Sequence, residues 1–523
     1  MTSEEGSARV RPGRVGPRRT RWFPAVAIAA VAVGSSIGTA GVAHALTGTT
    51  VSSGTAGLRI FAQPGKANAI SVTLTNSTFT VSDGGDLLLA GSGCTTVSRN
   101  VATCSAANVN LIISNTGDLD DQFSAPLPFP INVSGGDGND EITTGVDQDT
   151  VNGGDGDDVL ITGASNDTIR DGAGNDRVEA GDGNDTLATE ATPDGADVLL
   201  GGPGPSDLVD YSDRTAGVVV NLNDETATDG APGEHDDIRA DVERVSAGAG
   251  NDKLTGSNLS AVQNTLIGHA GNDTLLGLAG PDRLFGDTAD GTNTEVGIDS
   301  LDGGADHDTL DGGFGADDIF GGSGRDELTY DDRTSTAPLR VDLDEVNDDG
   351  AIGEKDNAHN DIEDITGGPG NDTLTGTFSD NRLEGRDGDD LLRGELDSDV
   401  SFFGADTFDG GAGEDTVNYA NRVEGVTVTI NGLPDDGRTG ADEGDNVLSN
   451  VEDIVGGKAG DLLFGSDGPN LIAGLTGVDW VFGLGGDDKL GCGDELNELG
   501  DGGAGFDRSI GCEFTPNVED PQP

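Results

Sequence analysis

Residues 135–188 read GGDGNDEIT TGVDQDTVN GGDGDDVLI TGASNDTIR DGAGNDRVE AGDGNDTLA, six nine-residue segments without a slip in register. The sixth place is always aspartate, at Asp140, Asp149, Asp158, Asp167, Asp176 and Asp185. The eighth is always aliphatic, at Ile142, Val151, Leu160, Ile169, Val178 and Leu187. A helix spaces its apolar residues three or four apart and a half-buried strand two apart, so a period of nine demands a unit larger than one element. The glycine-rich part of each segment can reach positive φ and turn tightly. The part centred on the aliphatic residue suits a short strand. Turn plus strand, repeated, makes a solenoid with a thin core.

These segments resemble the GGxGxDxUx nonapeptide of the RTX family, the hemolysin-type calcium-binding repeats of secreted proteins. The resemblance implies an all-β fold, a parallel β-roll in which two nonamers complete one coil and like turns stack along each edge. It also implies calcium between stacked turns, held by backbone carbonyls and the sixth-position aspartate. The ligands implied in the first block are Gly135, Asp137, Asp140, Gly153, Asp155, Asp158 and Asp176 on one edge and Asp149, Asp167 and Asp185 on the other. The chemistry agrees, since calcium is a hard cation that takes six to eight oxygens, more than two carboxylates supply. The first edge keeps glycine at the fourth place, at Gly138, Gly156 and Gly174, whereas the second has Asp147 and Ser165 there. That difference predicts less regular carbonyl geometry on the second edge.

Nonamers recur after this block. Their sixth-position aspartates are Asp252, Asp273, Asp282, Asp308, Asp317, Asp326, Asp372, Asp390, Asp415, Asp461, Asp479 and Asp488, which complete the implied calcium ligands. Three interruptions resemble one another: YSDRTAGVVVNL from Tyr211, YDDRTSTAPLRVDL from Tyr330 and YANRVEGVTVTIN from Tyr419. Each leads into an acidic loop in which Glu234, Glu354 and Glu443 correspond, as do Glu243, Glu363 and Glu452. Similar spacers occur in RTX proteins of Gram-positive bacteria, and they are expected to carry strands across the roll. The organisation expected is a signal peptide over 1–45, a small β module over 46–134 and repeat blocks over 135–200, 247–329, 367–418 and 456–512. Spacers fill 201–246, 330–366 and 419–455, and 513–523 form a polar tail.

The module lacks the nonamer but alternates, with Ile70, Val72 and Leu74 before Asn76-Ser77 and Phe79 and Val81 after, the pattern of a hairpin. Val109, Leu111 and Ile113 supply another strand, before the prolines at 126, 128 and 130.

Composition fits a thin stacked core better than a large globular one: 523 residues with 87 glycines, 4 % aromatic and 33 % hydrophobic. A net charge of −68 makes cations the natural partners and argues against nucleic acid and anionic membrane, both polyanions. At the N-terminus six arginines between Arg9 and Arg21 precede an apolar run from Phe23 to Val33 and a small-x-small site at Ala43-His44-Ala45, which reads as a cleaved secretory signal and predicts an extracellular protein. In an oxidising compartment the four cysteines read as two short-loop disulfides, Cys94 with Cys104 and Cys492 with Cys512.

Catalytic patterns are weak. The one GxSxG, at Gly34–Gly38, lies inside the signal segment, HExxH is absent, and residues 46–134 contain no histidine for a Ser-His or Cys-His site. Residues 345–356 approach an EF-hand with Asn347, Asp349, Gly350, Ile352 and Asp356, but Glu345 opens the loop and aspartate closes it, so a solvated acidic turn is expected. The sequence therefore predicts a secreted calcium-binding protein, non-enzymatic and structural or adhesive, with calcium as cofactor and cell-surface or matrix components as the macromolecular partners. The alternative is a secreted hydrolase or toxin that uses the roll as a calcium-dependent folding module.

Overall fold

A computed structural model describes residues 47–224, 226–287, 297–331, 333–395, 404–440, 443–493, 495–513, 515, 517 and 520–522. The expected signal peptide lies outside the described residues. Among those described there is no helix, and from Thr47 onward the chain forms one compact unit.

The all-β parallel roll is present. Strands pair in parallel eighteen residues apart in the first block, Val133 beside Val151 and Val151 beside Ile169 on one face, Ile142 beside Leu160 and Leu160 beside Val178 on the other. Two nonamers therefore make one coil. Because side chains alternate along a strand, the eighth-position residue of each nonamer points inward; Leu160, Ile169, Leu254, Leu310 and Leu392 are fully buried. The core is this double file of aliphatic residues.

The stack begins before the first nonamer. Strand Ile112–Asp118 pairs in parallel with Ile131–Asp137 and also with Gly57–Phe61, while Gln122–Ser124 pairs with Glu141–Thr143 and with Ala69–Thr75. Both faces of the roll thus run on into the N-terminal strands. The hairpin at Asn76-Ser77 forms as expected, both residues at positive φ (47° and 64°), the twist that suits a two-residue hairpin turn. The expected strand through Val109, Leu111 and Ile113 begins later: Val109 is buried, but the strand starts at Ile112 and buries Ile112, Ser114 and Thr116. The chain turns back at Val109, whose N–H donates to the Ala106 carbonyl, and this shifts the phase by one. Both disulfides are local, Cys94–Cys104 across an antiparallel pair and Cys492–Cys512 near the other end.

The spacers switch sheets. One face is continuous from Val133 through Leu187, Leu266, Leu328 and Leu383 to Phe408 and Val447. The other face ends at Ile238 in spacer one and restarts from Val220, then ends at Ala358 in spacer two and restarts from Val341. In spacer three the long face itself ends, and Val428 opens a new one. Each switch is fastened by the same four residues. Buried Tyr211, Tyr330 and Tyr419 donate their hydroxyls to Oδ2 of Asp236, Asp356 and Asp445 at 2.7, 3.1 and 3.0 Å. Buried Arg214, Arg333 and Arg422 pair with Glu234, Glu354 and Glu443 at 2.7, 2.6 and 2.7 Å. The EF-hand-like loop belongs to this joint: residues 345–348, 352, 353 and 355 are exposed as expected of a solvated turn, but Asp349 and Asp356 are both 1 % exposed and their carboxylates accept backbone N–H groups of the spacer and the preceding coil.

Removing the hydroxyl in Tyr330→Phe leaves Asp356 Oδ2 buried without a partner, a cost of about 1–3 kcal/mol. Amide hydrogen exchange on the calcium-loaded protein is expected to show that loss as faster opening at Asn357 and Ala358, with protection in residues 135–188 unchanged.

Candidate metal centre

Successive nonamers present the same contact to the coil below them. The N–H of Asp140 donates to Oδ1 of Asp158 (2.7 Å), that of Asp158 to Asp176 (2.7 Å), and that of Asp176 to Asp197 (2.7 Å). The second edge repeats it through Asp149, Asp167, Asp185 and Asp207. Later blocks continue it through Asp252, Asp273, Asp299 and Asp317, through Asp282, Asp308 and Asp326, through Asp372, Asp390 and Asp415, and through Asp461 and Asp479, with Asp488 running on to Asp507. One oxygen of each carboxylate is thereby spent on the ladder.

The other oxygen divides these residues into two groups. Oδ2 of Asp140, Asp158, Asp167, Asp176, Asp185, Asp273, Asp282, Asp308, Asp317, Asp326, Asp390, Asp415, Asp479 and Asp488 is buried and has no hydrogen-bond partner. Asp149, Asp252, Asp372 and Asp461 differ: their Oδ2 accepts the N–H of Gly145, Gly248, Gly368 and Gly457 at 3.1, 3.3, 2.9 and 2.6 Å. Each of these four begins a ladder, with no nonamer turn above it. Asp236, Asp356 and Asp445 end ladders, and there the tyrosine hydroxyl takes Oδ2.

On the opposite edge the ladders that follow a spacer begin with asparagine. Nδ2 of Asn264, Asn381 and Asn470 donates to the carbonyls of Glu243, Glu363 and Glu452, and Oε2 of those glutamates accepts the N–H of Asp207, Asp326 and Asp415. The interior ladder aspartates thus carry a free Oδ2, whereas Oδ2 of Asp236, Asp356 and Asp445 is taken.

The free oxygens face a cradle. A Cβ placed on Gly135 would lie 2.2 Å from Asp140 Oδ2 and 2.5 Å from the Gly153 carbonyl oxygen; on Gly153 it would lie 2.3 Å from Asp158 Oδ2 and 2.2 Å from the Asp171 carbonyl. The same pairing of an aspartate Oδ2 with the carbonyl of the next coil recurs at Gly268, Gly303, Gly385 and Gly483. Asp137 and Asp155, at the third place, are exposed, and the Asp155 carbonyl accepts the N–H of Gly138 (2.6 Å). The two edges differ, but not by glycine: the fourth place has positive φ at Gly138, Gly156 and Gly174 (125°, 137° and 151°), whereas on the second edge Ser165 has it (80°) and Asp147 and Gly183 do not.

Burying an ionised carboxylate oxygen without a partner is costly. Burial pushes Asp140, Asp158, Asp167 and Asp176 up to about 7, and Asp299 and Asp317 to about 8, against the N–H donation that pulls each down. A hard divalent cation coordinated by carboxylate and carbonyl oxygens would supply the missing partner, and the donor set fits calcium.

Five ladder residues follow no regular nonamer: Asp121, Asp207, Asp299, Asp406 and Asp507, each with a free Oδ2. Asp121 and Asp207 keep the aspartate-x-apolar signal, in Asp121-Gln122-Phe123 and Asp207-Leu208-Val209, with atypical turns before them. Asp299 and Asp406 follow insertions, and Asp507 has Ser509 where the aliphatic residue belongs.

A family model described as the RTX calcium-binding nonapeptide repeat (4 copies) matches residues 132–160, 152–187, 240–258, 263–292, 295–328, 366–400, 403–420 and 455–490. No curated protein matches the chain.

In the ion-free roll, carboxylates with raised folded-state values stabilise the fold fully below the unfolded value near about 4, and that contribution is lost as pH rises through about 7–8. Protons then stand in for calcium. In chelator, circular dichroism is expected to show more β structure at about pH 5 than at about pH 8, while calcium binding, which needs ionised ligands, weakens toward acid. A chelated chain with the same spectrum at both values would contradict this.

Proposed function

We propose that this chain of RTX calcium-binding nonapeptide repeats is an exported, non-enzymatic structural or adhesive protein whose roll is ordered by calcium outside the cell. The observation that carries the reading is the file of buried, partnerless Oδ2 atoms in register along the stack. The ligands are the interior ladder aspartates, such as Asp140, Asp158 and Asp176, with carbonyls of the glycine turns such as Gly153. The N-terminal segment supports export, and both disulfides suit an oxidising compartment. The N-terminal strands continue the stack, which favours a cap over a separate catalytic domain.

Without calcium, neighbouring turns stack like charges, so binding energy becomes folding energy. Adding millimolar calcium to the chelated mature chain at neutral pH is expected to raise the β signal in circular dichroism; a signal already complete in chelator would overturn the reading. Asp158→Ala is expected to lower the calcium stoichiometry. Asp149→Ala, whose Oδ2 is already satisfied, leaves the stoichiometry unchanged and costs about 1–2 kcal/mol of stability through its lost hydrogen bonds. For the adhesive role, mature protein is expected to be retained by cell-surface polymer from its own source in calcium and released by chelator. Retention that ignores calcium, or turnover of that polymer, would favour the hydrolase alternative.

A further inference from the structure

On the edge that carries Gly135 and Gly153, the third turn opens with Asp171 instead of glycine. Where the first two turns leave a cradle beside the free aspartate oxygen, this turn places a side chain. Asp171 is 3 % exposed and brings a carboxylate to that place. One of its oxygens and those of Asp176 and Asp197 lie within 4.8 Å of one another. Asp176 is 2 % exposed; its Oδ1 accepts the Asp158 N–H, and its Oδ2 has no partner.

A second group shares Asp171. The next coil is lengthened, with 21 residues from Asp176 to Asp197 where the regular step is 18. The extra segment supplies Glu190 and Asp194, whose oxygens lie within 4.8 Å of each other and of Asp171. Glu190 Oε2 is buried and without a partner, and Asp194 Oδ2 accepts the Glu190 N–H at 3.3 Å. The neighbouring cation is Arg214, which gives Nη2 to Asp194 Oδ1 at 3.0 Å and to Glu234 Oε1 at 2.7 Å. Its charge is thus divided between Asp194 and Glu234. Arg170 reaches Glu190 Oε1 from the partly exposed side at 3.4 Å and leaves Oε2 without a partner, and among the described residues no ion pair joins a cationic side chain to Asp171, Asp176 or Asp197. A third acidic group, Asp342, Asp344 and Asp348, is different, because Arg340 bridges Asp342 and Asp348 and closes it.

The structure assigns to Asp171, Glu190 and Asp194 a calcium site of their own, built from side-chain carboxylates rather than from the glycine-turn carbonyls of the nonamers, with Asp171 joining it to the ladder pair Asp176 and Asp197. Three carboxylates that converge without enough positive charge need a hard, oxygen-seeking divalent ion, and their irregular placement suits calcium better than the strict octahedron of magnesium. The assignment rests on the reading that the chain binds calcium.

Two substitutions test it in the full mature chain. Asp171→Gly restores the glycine of the regular turn, and Glu190→Gln alters only the inserted segment. Native mass spectrometry at saturating calcium, with circular dichroism confirming the folded roll, is expected to show each variant with one calcium ion fewer than the parent, about the effect of removing one charged ligand from a three-carboxylate site. If both variants keep the parent's count, or if Asp171→Gly loses an ion and Glu190→Gln does not, the site is overturned while calcium binding by the nonamers stands. If the parent itself carries no calcium, the underlying reading fails instead.

Discussion

An aspartate has two oxygens, and the stack of this protein uses only one. Coils about 4.8 Å apart let the N–H of one sixth-position residue reach Oδ1 of the next, as from Asp140 to Asp158. The geometry that satisfies Oδ1 turns Oδ2 toward the next coil's carbonyl, where no donor stands. Most other features answer to that leftover oxygen. Glycine is needed at Gly135 and Gly153 because a Cβ would stand within about 2.5 Å of it. The contact, repeated along two edges, contributes to the net charge of −68. Like charges stacked this closely oppose folding until a cation intervenes.

The joints solve the same problem without an ion. At the end of three ladders a tyrosine hydroxyl covers Oδ2, at the start of four a glycine N–H covers it, and on the other edge asparagine supplies its own donor. The buried arginine beside each tyrosine holds the acidic loop against the preceding coil through Glu234, Glu354 or Glu443. Such pairs add little net stability over apolar packing, but loss of one partner leaves a buried charge worth about 3–5 kcal/mol. They fix where a sheet stops and the next begins.

Much of this was legible in the sequence because the repeat is local. The nine-residue period, the eighteen-residue coil, the inward files of Leu160 and Ile169 and the Asn76-Ser77 turn all depend on neighbours in the chain. Cys94 and Cys104 were readable for the same reason. What stayed hidden depends on contacts between distant coils. Tyr211, Arg214 and Glu234 were visible as a recurring pattern, yet nothing local reveals that the hydroxyl covers Oδ2 of Asp236. The ladder-opening aspartates Asp252 and Asp372 keep the fourth-place glycine as Asp158 does, and only the missing turn above them frees a glycine N–H to cap them. The phase of Val109 and Leu111 was misread because a turn, invisible to alternation, interrupts the strand. Asp121 and Asp207 escaped because their turns depart from the glycine pattern while their place in the stack does not.

The central claim is that calcium sits where carboxylate oxygens lack partners and nowhere that a hydroxyl or N–H already serves them. Anomalous diffraction from crystals of the calcium-loaded protein tests it directly. The account predicts ion peaks beside Oδ2 of the interior aspartates, Asp140, Asp158, Asp167 and Asp390 among them, and none beside Oδ2 of Asp236, Asp356 or Asp445. Peaks at the tyrosine-capped aspartates, or an interior ladder without ions, would contradict it.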